Sequence, residues 1–162
     1  MYSGDVEVGG PVDARELPAL RITKVATNPF NNNCYLLRCT ATGETLLVDA
    51  AGDAPRLLEA LGDGTLVGVV ETHGHWDHQQ ALVEVVTATG APVLATEADA
   101  ADLPLVPDRF LTDGETVTVG QVTLTALTIV GHTPGSVALL YGGDTTIGAE
   151  RASVPEWRAR GW

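Results

Sequence analysis

The sequence predicts an α/β domain, in the α+β sense, with two sheets and helices packed outside them. Three observations predict it. Strand-like segments come first and form a β-rich meander, helical patterns are interleaved later, and residues 65–71 form an almost continuous apolar run. Such a run is the mark of a strand buried on both faces. The length of 162 residues suits one compact domain. A chain of that size buries roughly 70% of its unfolded surface, enough for a true core.

The elements follow in order. Residues 1–19 hold glycines and prolines without a clear period and read as an irregular lead-in, ahead of one domain over 20–162. Strands are expected over 20–26, 33–39 and 45–48, the last two joined by the turn Ala41-Thr-Gly-Glu44. Asp53 is placed to cap a short helix over 54–61, with Pro55 tolerated in its first turn. After the buried strand, residues 79–89 carry Ala81, Leu82, Val85 and Val86 at the spacing of one helical face, and Gly90 stops the helix. A strand over 92–95 and a short helix over 97–103 come next. Strands over 110–111, 115–119, 121–130 and 136–141 complete the pattern around turns at Asp113-Gly114 and Gly120.

Composition excludes several functions. Hydrophobic residues make up 44% and charged residues 19%, which is globular rather than disordered. The formal net charge of −12 repels phosphate backbones, so nucleic acid is not an expected partner. No apolar run approaches the roughly 20 residues that span a bilayer. The polar start, Met1-Tyr-Ser-Gly-Asp5, lacks the pattern of a signal peptide. A soluble, cytoplasmic protein is expected. Cys34 and Cys39 lie an odd number of residues apart on one strand, so they face opposite sides and read as small buried hydrophobes. There is no G-x-S-x-G elbow, P-loop or Rossmann glycine fingerprint.

The informative feature is histidine placement. Three of the four histidines fall within Thr72-His73-Gly-His75-Trp-Asp77-His78, at the end of the buried strand. Neutral imidazole suits zinc, iron and manganese. The H-x-H step puts two rings on one side of an extended segment. Asp77 and His78 sit where the chain turns toward the next helix, and Gly74 gives the backbone room to bend. Asp77 is also placed to cap that helix. Trp76 either lines the site or packs beside the loop. The fourth histidine, His132, lies in Gly131-His-Thr-Pro-Gly-Ser136, again just after an apolar strand. Asp49 ends another strand and reads either as a support for ligands through hydrogen bonds or as a turn residue.

H-x-H-x-D-H followed much later by G-H-T-P-G-S resembles the metallo-β-lactamase superfamily, and within it the glyoxalase II-like hydroxyacylglutathione hydrolases. Asn33-Cys-Tyr-Leu-Leu37 and Leu47-Val-Asp49-Ala50 match supporting segments. The resemblance implies an αββα sandwich. It implies a first metal held by His73, His75 and His132, and a second held by Asp77 and His78. Zinc, as one or two ions, is the implied cofactor, with iron and manganese as alternatives. The family also uses a bridging aspartate and a late histidine, yet no histidine follows His132. A family segment is thus expected to be absent between about residues 141 and 145, leaving the sandwich truncated or internally deleted in its C-terminal half. Asp144 is either the bridging aspartate or part of a turn or a rejoined segment.

Three functions follow from the resemblance. The first is a metal-dependent hydrolase of a small-molecule thioester or ester, with Asp77 orienting or deprotonating the attacking water. The second is a truncated metal-binding domain of little or no activity. The third is a persulfide dioxygenase-like non-haem iron enzyme. The sequence leaves the oligomeric state open.

Overall fold

The computed structural model describes residues 2–143. Among the described residues, ten strands and two α-helices form layers (helices, a seven-stranded sheet, then a three-stranded sheet). Strands β1 (Asp13–Glu16), β2 (Leu20–Thr27), β3 (Asn32–Cys39) and β4 (Glu44–Val48) form an antiparallel meander. Strands β5 (Thr65–Val70), β6 (Val93–Ala95) and β7 (Arg109–Phe110) then add in parallel, in the order β1 to β7. The second sheet is antiparallel, with β8 (Thr116–Val119), β9 (Val122–Thr128) and β10 (Val137–Tyr141) in the order β10-β9-β8.

Alternation along the strands divides the core in two. On one face of the large sheet, Val25, Cys34, Leu36, Leu47 and Val69 pack against helix α1 (Ala54–Leu61) and helix α2 (Leu82–Thr89) through Leu57, Leu61, Leu82 and Val85. On the other face, Leu20, Leu37, Cys39, Leu46 and Val70 meet Val117, Val119, Leu124 and Ala126 of the small sheet. The two cysteines are free and buried and fall in different halves of the core, as an odd spacing on β3 requires. Burying a leucine such as Leu46 or Leu82 stabilises the fold by roughly 1.5–3 kcal/mol. Among the described residues, no helix is long and apolar enough to cross a membrane.

Several expectations need correction. The lead-in over 1–19 contains β1, which pairs antiparallel with β2. Its sequence, Asp-Ala-Arg-Glu, has no apolar period because it is an exposed edge strand held by backbone pairing. The second helix begins at Leu82 rather than 79, because Gln79 turns its amide inward to Gly74 O and Asp102 O. Asp77 does not cap α2, whose N-cap is Ala81 without a side-chain hydrogen bond. The short helix expected over 97–103 is present as a 3₁₀ helix over Glu97–Asp102. Strand β9 stops at Thr128; Ile129 still donates its N–H to Ser136 O at 2.8 Å, and the side chains of Ile129 and Val130 are exposed.

Parallel pairing of β4, β5 and β6 sets the stage for chemistry. Asp49 follows β4, the histidine cluster follows β5, and Thr96 and Asp99 follow β6. The three connections leave the same edge of the sheet, where ligands bind in parallel arrangements. The β9–β10 connection carries His132 over that edge from the second sheet.

Candidate metal centre

The first loop is held from below by Asp49. This residue is 5% exposed and adopts φ 57°, a left-handed conformation that aspartate tolerates better than most residues. Asp49 Oδ1 accepts from Thr72 N at 2.7 Å, and Oδ2 accepts from Thr72 Oγ1 at 2.8 Å and from His78 Nδ1 at 2.8 Å. The hydroxyl proton of Thr72 is therefore committed to the carboxylate. Thr72 Oγ1 lies 2.9 Å from His73 Nδ1 and can only accept there, so His73 carries its proton on Nδ1. The same logic places the proton of His78 on Nδ1. One buried carboxylate thus selects two tautomers and leaves two Nε2 lone pairs for a cation.

His132 closes the site from the second loop. Its Nε2 lies 3.3 Å from His73 Nε2. Two nitrogens at the usual zinc–nitrogen distance in a tetrahedral site lie roughly 3.3–3.4 Å apart. The ring centroids of His73, His75 and His132 are 4.8, 4.8 and 4.6 Å apart in pairs. Ligand atoms of these three residues all fall within 4.8 Å of one another, and so do those of Asp49, His73 and His78. A proton can bridge two imidazoles, but three rings around one point suit a cation, so the residues present fit a metal. His73 is buried while His75 and His132 are exposed, which leaves the site open on one side.

Asp77 stands beside this cluster. Its Oδ2 lies 4.0 Å from His78 Nε2 and accepts from Asn32 Nδ2 at 2.8 Å. Asn28 and Asn32 both donate to the Asp77 carbonyl, which pins the 3₁₀ turn Trp76–His78 to the β2–β3 connection. Trp76 is exposed and stands edge-on to exposed Phe30 at 5.5 Å, so its ring packs beside the loop and faces solvent. Asp144 lies outside the described residues.

Electrostatics agree with this division. Burial, aided by the neighbouring His78, His132 and His75, lowers the His73 pKa, which keeps that ring a neutral donor. The Asp49 hydrogen bond raises the His78 pKa against burial, so a cation at its Nε2 competes with a proton. The Asn32 hydrogen bond lowers the Asp77 pKa, holding the carboxylate ionised. Burial, with Asp49 nearby, pushes the Glu71 carboxyl well above its usual range, and its Oε1 accepts from Ala50 N at 3.1 Å.

The structure brings together His73, His75, His78, His132 and Asp49, with Asp77 at the margin. Sequence reasoning missed Thr72, Asn32, Gln79, Thr133 and Asp99. Thr72 and Thr133 each adjoin a histidine, and that adjacency was the available signal. Nothing local marks Asn32 or Asp99. Gly74 does not act by flexibility, because its φ is not positive. A Cβ there would fall 2.8 Å from Asp102 Cβ, so glycine is needed for close approach.

Comparison with known proteins identifies the relatives of the chain. The sequence profile of the Metallo-beta-lactamase superfamily matches residues 27–147. The chain is 36% identical over 119 residues to the hydroxyacylglutathione hydrolase of Jannaschia sp. (strain CCS1), covering 72% of this chain and 46% of that protein. It therefore spans about half the length of the curated relatives it matches. The crystal structure of ETHE1 from Myxococcus xanthus superposes with TM-score 0.67 at 27% identity, over 75% of this chain and 53% of that one. TTHA1623 in a di-iron-bound form superposes with TM-score 0.62 at 26% identity, over 73% and 66% of the two chains. By profile, by sequence relatives and by fold, the chain belongs to the metallo-β-lactamase superfamily.

Proposed function

We propose that the chain is a metal-dependent hydrolase of a small-molecule thioester or ester, of the glyoxalase II-like kind. The observation that carries the reading is the 3.3 Å approach of His132 Nε2 to His73 Nε2, with His73 held in the tautomer that offers Nε2. His73, His75 and His132 hold the first ion, and His78 with Asp77 hold a second. Zinc is the favoured metal for an imidazole-rich site, with iron and manganese as alternatives. The di-iron form of TTHA1623 supports keeping iron among them. A bound cation supplies Lewis acidity toward a carbonyl and acidifies water near neutral pH.

The chain's own residues supply positioning. Asp49 holds His73 and His78 in their tautomers. Asp77, ionised and anchored by Asn32, is suited to accept a hydrogen bond from the attacking water and orient it. The hydroxyacylglutathione hydrolase relatives favour a thiol-linked hydroxyacyl substrate.

The test is release of free thiol from a panel of acyl thioesters by protein of known metal content. Turnover that disappears with chelation and returns with metal supports the reading. Metal-loaded protein that turns over none of them overturns it and favours a metal-binding domain without activity. Oxygen uptake with a persulfide, seen only in iron-loaded protein, overturns it in favour of the dioxygenase.

A further inference from the structure

We propose that Asp99 is the positioning residue that locks the two histidine loops into register for the cation. The inference rests on the reading of His73, His75 and His132 as ligands. A site assembled from two loops is only as well defined as the connection between them, and ligand distances tolerate errors of only about 0.2 Å.

Asp99 supplies that connection from a third place in the chain. Its side chain is 2% exposed, alone among the acidic residues of Glu97–Asp102 in being buried. Oδ2 accepts from Gly74 N at 3.0 Å, in the residue between His73 and His75. The same oxygen accepts from Thr133 Oγ1 at 2.5 Å, in the residue after His132. Oδ1 accepts from Gly135 N at 2.8 Å. Each loop therefore reaches Asp99 beside a proposed ligand. Among the described residues, no ion pair is formed by this carboxylate, so donors from the two loops alone offset its burial.

Neighbouring contacts serve the same end. Thr96 Oγ1, just before the 3₁₀ segment, donates to Gly135 O at 2.6 Å. Gln79 Nε2 ties Gly74 O to Asp102 O at 2.8 and 2.9 Å. Both loop glycines lie hard against this bracket. A Cβ on Gly135 would fall 2.1 Å from Thr96 Oγ1 and 2.8 Å from Asp99 Cγ, and one on Gly74 would fall 3.2 Å from Asp99 O. Asparagine cannot replace Asp99, because its amide nitrogen would face one of the two backbone N–H groups.

The test is a double-mutant cycle read by cobalt(II) titration, using affinity and the ligand-field absorption bands. Asp99→Ala is expected to lower cobalt affinity about ten- to hundredfold and to alter the bands. In a His132→Ala background the same change should cost no more than about threefold, because the second loop then carries no ligand. Thr133→Val removes one of the three hydrogen bonds and should give a smaller loss, which keeps the test open if Asp99→Ala does not fold. In metal-free protein, Asp99→Ala should speed amide exchange at Gly74 and Gly135. Equal losses in both backgrounds overturn the proposal, because a merely structural residue is additive. A folded Asp99→Ala protein with the wild-type cobalt spectrum and affinity also overturns it, while leaving the metal reading intact. Wild-type protein without a cobalt site overturns the metal reading and the proposal with it.

Discussion

The Thr72–His78 loop and the Gly131–Ser136 loop bring imidazoles to one point by different means. In the first loop the rings themselves are held. His73 and His78 each donate from Nδ1, and the backbone is fixed by Asn28, Asn32 and Gln79. In the second, the hydrogen bonds of the loop run through its backbone and through Thr133 and Ser136, while the His132 ring packs edge-on against His75 and, among the described residues, makes its polar contact with His73 Nε2. The first loop is thus set ring by ring, and the second is set by where its backbone hangs. Affinity for a cation should depend on ligand orientation in the first loop and on loop position in the second.

The largest effect is expected from His132→Ala. It should weaken binding of the first ion more than any other change here, seen by elemental analysis as metal lost on dialysis against dilute chelator, while the fold survives because the ring is exposed. Retention of full metal content would break the comparison at its root. Next comes Asp49→Asn, which keeps a residue tolerant of φ 57° but disturbs both tautomers. Metal affinity should fall about tenfold or more in a competition assay. The smallest effect separates the two glycines. Gly135→Ala forces Cβ onto Thr96 Oγ1 and the Asp99 carboxylate, and should destabilise the metal-free protein by about 1–3 kcal/mol in urea unfolding. Gly74→Ala meets first the Cβ of exposed Asp102, at the end of the 3₁₀ segment, and should cost less than Gly135→Ala. The reverse order would show the first loop to be the more tightly hung.

Much of this was legible in the chain itself. The H-x-H-x-D-H cluster and the later histidine announce a metal site because ligand chemistry selects few residue types and tight spacings. The apolar run of β5, the Asp53 cap, whose side chain accepts from Arg56 N, and the opposed cysteines follow from local periodicity and local hydrogen bonding. Other features could be found only in three dimensions. β1 carries no apolar pattern, since pairing with β2 is all that makes it a strand. Asn32 reaches Asp77 across 45 residues, and Asp99 reaches Gly74 across 25 and Gly135 across 36. In the acidic stretch Glu97–Asp102 nothing distinguishes the buried carboxylate from its exposed neighbours. A side chain's chemistry is a property of its type. Its partners depend on where parallel strands return the chain, and tertiary packing alone decided that the loops after β4, β5 and β6 would meet at one edge.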